Sequence, residues 1–282
     1  ILNKALMILH QKSNFIGRIN RQYDDQFAKD GGKIGATLRI RIPNEYATGT
    51  GATATFGDTT ENEIALTVAT QRWSAMNFLS SELTLSMDDF ADRVIEPAMS
   101  KLAAVTEADA FSMTKDVYQQ VGAAGTQAAT ALVYLQAMAA ASDALAPKSK
   151  RCNHVPPKDM AALVDALKGL FQDSTQIAEQ YRDGIMGRAL GADWYENTLT
   201  DRITNGNKVA AVTVSGAAQV GATVTLGGLA GADTFKKGQV FTMAGCNRVH
   251  PETKVDTGIL QQFVVTADVT SAGATLAVGI SP

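Results

Sequence analysis

The chain has 282 residues, 45% of them hydrophobic and 19% charged, enough apolar content to bury a core and too little charge for a disordered chain. Lys and Arg number 25 against 28 Asp and Glu, a net charge of −3, which excludes a chain that binds nucleic acid through bulk charge. Aromatic residues make up 6%, few for a deep aromatic-lined pocket, so the composition leans away from a small-molecule enzyme.

Residues 1–12 carry apolar side chains at Ile1, Leu2, Ala5, Leu6, Ile8 and Leu9, which predicts a short amphipathic helix. A polar stretch with Arg18, Arg21 and the pair Asp24-Asp25 runs to the Gly31-Gly32 break. Leu38, Ile40 and Ile42 then alternate with Thr37, Arg39 and Arg41, and Pro43 ends the run. A second alternating run holds Ile64, Leu66 and Val68 and ends near Trp73. Together they predict a long β-hairpin whose tip, Asn44 to Glu63, is rich in Gly, Thr and Asn. A two-stranded hairpin is marginal alone, so this arm is expected to need a partner surface. Arg39 and Arg41 share one face of it. They fit an ordinary polar sheet face or a pairing with acids of a neighbouring subunit.

Ser86-Met87-Asp88-Asp89 reads as a helix start, with Ser86 as cap and the two acids at the positive helix end. Phe90, Val94, Ala98, Leu102 and Val105 form its apolar stripe. The helix is expected to reach about Tyr118 and to bend at Pro97. Ala128 to Ala146 predicts a second helix, ended by Pro147. Its apolar content is interrupted by Gln136, Ser142 and Asp143, so it reads as a packed helix and not a membrane span. Lys148, Lys150 and Arg151 read as a solvated basic turn. Met160, Leu163, Val164, Leu167 and Leu170 mark a third helix, Ser174 to Tyr181 a short fourth, and Gly184 to Asn197 a turn followed by a strand. After Asn205-Gly206 helical spacing stops. Short β-type runs at Val209–Val214, Ala222–Leu226, Gln239–Met243, Gln261–Thr266 and Ala274–Ile280 predict a compact all-β module. Turns are expected at Gly227-Gly228, Gly231, Gly245, Asp256–Gly258 and Gly273.

No catalytic constellation emerges. Gly49-x-Gly51-x-x-Ala54 resembles a dinucleotide fingerprint, but Phe56-Gly57-Asp58 follows in place of a helix start. Gly184, Gly187 and Gly191 lack the Lys-Ser or Lys-Thr of a phosphate loop. His10, His154 and His250 are scattered, without metal-ligand spacing. Cys152 and His154 are near neighbours, but no positioned third residue supports a thiol nucleophile. Two cysteines, Cys152 and Cys246, form neither a disulfide framework nor a zinc site, which favours a reducing compartment. We therefore expect no enzyme activity, no metal and no cofactor.

Particular residues carry a family resemblance. Asn20 to Phe27 and Lys33 to Pro43 resemble the N-terminal arm and extended loop of tailed-phage coat proteins. Ser80 to Phe90 and Glu96 to Met99 resemble the approach to the spine helix and its kink. Met160 to Phe171, Gln176 to Tyr181, Met186 to Gly191 and Asp193 to Tyr195 resemble the axial-domain core. Gly258 to Asp268 is similar to the inserted β-domain. The family is the podovirus coat-protein group with an inserted domain, of the Hong Kong 97 type of major capsid fold.

The resemblance implies an α+β chain. Its parts are an N-terminal arm at 1–31, an extended hairpin arm at 32–79, spine helix and peripheral domain at 80–127, part of an axial domain at 128–205, and an inserted all-β domain at 206–282. It implies a major capsid protein of a tailed double-stranded DNA phage, located in the virion capsid and assembled in the host cytoplasm. The implied partners are further copies in hexamers and pentamers, a scaffolding protein, a portal protein at one vertex, and packaged DNA contacted without sequence preference, with no membrane. Arg39, Arg41, Trp73, Asp88, Asp89 and Arg93 are the residues expected at subunit interfaces. The alternative is an encapsulin-like cellular shell of the same fold around protein cargo.

Overall fold

The structure, a computed structural model, describes residues 14–19, 35–44, 46, 49–51, 61–75, 91–123, 125–167, 187–208 and 211–281. The chain divides into two compact units, Ile1–Lys12 with Gly17–Ala103, and Ser13–Ile16 with Ala104–Pro282. Helices and sheets are both present and mostly segregated along the chain, so the protein is α+β.

In the first unit, β1 (Thr37–Arg41) and β2 (Glu63–Thr67) form the predicted antiparallel hairpin. Leu38 lies opposite Leu66 and Ile40 opposite Ile64, so the alternation read from the sequence sets the register. A π-helical turn at Ala91–Ile95 leads into α1 (Glu96–Ser112); the helix from Ala104 onward and the 3₁₀ turn at Met113–Asp116 that closes it belong to the second unit. Pro97 has no N–H to donate into an α-helical ladder. A wider, π-helical turn lies directly before it. Ser86, Asp88, Asp89 and Phe90 lie outside the described residues.

The predicted stripe of α1 is corrected. Val94, Ala98, Leu102 and Val105 are only half-buried. The buried line is Ile95, Ala103, Glu107 and Phe111, at spacings of four and eight. Both lines follow the same helical periodicity, and small residues flank each. The sequence of the helix alone therefore does not decide which line faces inward.

The second unit contains α2 (Ala131–Asp143), β3 (Cys152–Val155), α3 (Pro157–Leu167), β4 (Arg188–Ala189) and β5 (Ala192–Glu196). β5 is central, parallel to β3 and antiparallel to β4. Pro157 occupies the first position of α3, where its missing N–H costs nothing. Met160, Leu163 and Val164 share one face of that helix. They pack with Val155, Trp194, Ala131 and Tyr134 into one core. The Trp194 indole donates to the Ala189 carbonyl at 2.8 Å, and the Tyr134 ring meets Trp194 edge-on at 4.9 Å.

The basic turn is also revised. Lys148 and Lys150 are exposed, but Arg151 is half-buried and caps the end of α2. Its guanidinium donates to the carbonyls of Ala146 at 2.7 Å and Pro147 at 2.8 Å, and to Ser142 Oγ at 3.1 Å. A cation beside a helix C-terminus suits the negative end of the dipole, and here it also ties down the turn that follows the helix.

The β-module has a five-stranded sheet in the order β6-β7-β12-β10-β9 and a separate β11–β8 pair. The strands are β6 (Thr213–Val214), β7 (Thr223–Gly227), β8 (Thr234–Phe235), β9 (Val240–Val249), β10 (Asp256–Val265), β11 (Val269–Thr270) and β12 (Thr275–Ser281). Val224, Leu226, Phe235, Val265, Val278 and Ile280 form its core. Two expected turns are corrected. Gly245 and Asp256–Gly258 lie inside the ten-residue strands β9 and β10. Gly245 and Gly258 have φ of 83° and 69°, and the register between the strands shifts around both, so these glycines make β-bulges. The connecting turn lies at 250–255, where the His250 Nδ1 accepts the Thr253 N–H at 3.2 Å.

The module is tied to the rest of its unit by polar contacts. Lys237 pairs with Asp116 at 2.8 Å and Arg248 with Asp143 at 2.9 Å. Gln120 and Gln262 exchange two hydrogen bonds, at 3.0 and 2.9 Å.

Candidate functional site

The surface singled out by the sequence is the hairpin arm, built from two short strands. Its ladder is extended by Gly35 donating to the Val68 carbonyl at 2.9 Å and Ile42 donating to the Asn62 carbonyl at 2.9 Å. One face carries Leu38, Ile40, Ile64 and Leu66 by the register, and Ile42 continues it. Leu38 is buried, yet Ile64 is 58% and Leu66 49% exposed. Tyr46 and Trp73 are exposed as well. Covering aliphatic side chains of this size contributes about 1.5–3 kcal/mol each when burial is complete, so the face favours association.

The other face is polar. The Arg39 guanidinium pairs with Glu63 at 2.8 Å and Arg41 with Glu61 at 3.7 Å. The Thr37 and Thr67 hydroxyls meet at 3.1 Å. Both arginines thus have acid partners within their own arm. All four charged side chains are about half exposed or more, so each pair contributes little to the isolated chain. Trp73 lies 76% exposed after β2, and Arg93 is exposed on the π-helical turn. Asp88 and Asp89 fall outside the described residues. Arg39, Arg41 and Trp73 share the hairpin and its flank, while Arg93 sits on a different element.

Among the remaining candidates, Gly49 and Gly51 lie outside any helix or strand. Cys152 is half-buried and Cys246 exposed, both as free thiols. Among the described residues no group of three or more His, Cys, Asp and Glu converges as a metal site, and no helix is long and apolar enough to cross a membrane. A cavity of about 660 Å³ lies beside β6 and the start of β9 and is lined by Lys208, Val212, Val214, Phe235, Gln239 and Phe241 among others.

One cluster was missed by reading the sequence. Glu107, on the buried line of α1, accepts the backbone N–H groups of Asn14 and Phe15, the latter at 2.8 Å. Phe15 stacks on Phe111 with ring centroids 4.3 Å apart. His154, weighed as a nucleophile's partner, instead meets Phe15 edge-on at 5.2 Å and stacks on Tyr195 at 5.5 Å. A sequence signal existed: Ile95, Met99, Ala103, Glu107 and Phe111 recur every four residues, and one acid in an apolar ladder marks a buried polar contact.

No protein-family model matches the sequence, and no curated protein matches it. Among solved structures, a chain of Mycobacterium phage Che8 is similar, with a TM-score of 0.51 and 13% identity over 95% of this chain and 87% of that chain. Identity this low speaks to fold alone: the chain is an α+β protein that shares its fold with a phage protein.

Proposed function

We propose that this chain is the major capsid protein of a tailed double-stranded DNA phage, a Hong Kong 97-type subunit that builds the icosahedral head. The observation that carries this reading is the likeness to a phage chain across 95% of the residues, which takes in the hairpin arm, the helical layer and the β-module together. The half-exposed apolar face of the arm supports it, because a neighbouring copy would cover Ile64 and Leu66. Scaffolding protein, portal protein and packaged DNA are the partners this reading brings with it.

The test is expression together with the neighbouring open reading frames, followed by negative-stain electron microscopy. Closed shells tens of nanometres across, containing nucleic acid, are expected. Shells that enclose protein cargo would point to a cellular compartment, and small oligomers alone would count against assembly. Ile64→Asp combined with Leu66→Asp is expected to lower the stability of the unassembled chain by about 1 kcal/mol per site, the span of strand propensity, and to leave it folded. The same pair is expected to abolish shells. Normal shells from this variant would remove the arm from the interface.

A further inference from the structure

The two edges of the five-stranded sheet in the β-module are β6 and β9. Residues of both edges, 212–214 on one side and 240–244 on the other, line the cavity of about 660 Å³. The sheet therefore curls toward a barrel whose edges stay apart, and the cavity occupies the gap between them. Its volume falls within the range of about 300–1,000 Å³ for small-molecule sites, which recur at the mouths of β-barrels.

The wall of the cavity is apolar at its base. Leu226 and Phe235 are buried, and Phe241 and Met243 pack against the same core. Two of the polar groups that line it have donors to spare. Gln239 is 6% exposed. Its Oε1 accepts the N–H of Gly206 at 2.9 Å and that of Lys236 at 3.4 Å, which fixes the amide with Nε2 as its other end. That Nε2 has no partner among the described residues and, on a side chain that lines the cavity, opens onto it. A buried donor of this kind is costly until an acceptor meets it. The Lys208 ammonium lies 3.4 Å from Asp233 Oδ2, an oxygen that already accepts the Ala230 N–H at 2.7 Å. An ammonium carries three donors, and this pair takes one at most. An ionised carboxylate, which only accepts, is the group that answers an amide N–H and an ammonium together. An added peptide strand fits less well, because β6 has two residues and offers too short an edge to template a ladder.

We infer that this cavity binds a small amphipathic carboxylate, with its apolar chain against Leu226, Phe235 and Phe241 and its head on the Gln239 amide and the Lys208 ammonium. The site lies wholly within the module and requires no assembly of the chain.

The full chain is titrated with decanoate by calorimetry at neutral pH, below the micelle concentration. Saturable binding of one molecule per chain is expected. Decyltrimethylammonium, with the same apolar chain and a cationic head, should bind at least about tenfold more weakly. Gln239→Glu keeps an oxygen for Gly206 and exchanges the spare donor for a second oxygen, so decanoate should again bind about tenfold more weakly or worse. Should that variant not fold, Val214→Trp fills the cavity from a position that is 48% exposed and should likewise weaken binding. No saturable binding at millimolar decanoate, equal binding of the two amphiphiles, or unchanged affinity in a folded variant would overturn the proposal. So would tighter binding of an extended peptide of alternating valine and threonine, which would make the gap a strand-docking site.

Discussion

Tyr134 shows what a single half-buried group does to stability. Burial, helped by the negative charge of Asp159, pushes its phenol up to about 12 from an ordinary 10.0. The folded state therefore holds this proton more tightly than the unfolded state. That contribution is complete below about pH 10 and is lost as pH rises toward about 12. Tyr134→Phe should lose about 1 kcal/mol at neutral pH, through the bond from the hydroxyl to the Ala128 carbonyl at 3.1 Å. It should also lose less stability between about pH 10 and 12 than the parent, as read by urea unfolding at each pH. Gly206 is a second such residue. A Cβ there would sit 1.8 Å from the Thr234 carbonyl oxygen, and Asn207 holds the Thr234 N–H at 2.6 Å. Gly206→Ala should cost about 1–3 kcal/mol by forcing these backbones apart, seen as a lower urea midpoint. Neither residue stood out in the sequence, because the constraint on each comes from a group far along the chain.

At the scale of elements, the hairpin arm was legible and its charges were not. Strict alternation over five residues fixes both the strands and their register, since a slip by one would turn every apolar side chain over. The pairing of Arg39 with Glu63 and Arg41 with Glu61 depends on which acids the tip returns to the strand, which the arginine strand alone does not encode. Arg39→Glu with Arg41→Glu sets four acids together on this face. Shell yield should fall further at low salt than at high salt, because added salt screens exposed charges separated by more than the Debye length, about 10 Å at 0.1 M and shorter at higher salt. An equal yield at both salt levels would free these residues from any assembly role. The two glycines in β9 and β10 show the converse. Glycine in a polar stretch reads as a turn, but here positive φ serves bulges inside long strands, and only the cross-strand partner tells the two apart.

At the scale of the molecule, the β-module has a core and sheet of its own, yet it leans on the 3₁₀ turn and loop after α1 and on the end of α2. A fragment of residues 206–282 is expected to fold cooperatively, because Val224, Leu226, Val265 and Val278 pack with one another and with module neighbours. It should melt below the full chain, having lost Asp116, Gln120 and Asp143 as partners. Calorimetry of fragment and full chain checks this, and an unfolded fragment would show that the module depends on its tethers for folding.

The sequence by itself determined the locally encoded features: alternation in the hairpin, apolar spacing along α3, and the change from helical to β-type spacing after Asn205. These depend on neighbours within a few positions, where backbone sterics and periodicity act directly. The tertiary structure alone decided which line of α1 turned inward, that Arg151 caps α2, and that Glu107 meets the backbone of Phe15. Each joins groups whose partner is set by packing. Burial makes such contacts strong, because an unpaired charge or amide cannot remain in a low-dielectric interior, and their chain separation makes them invisible to local spacing.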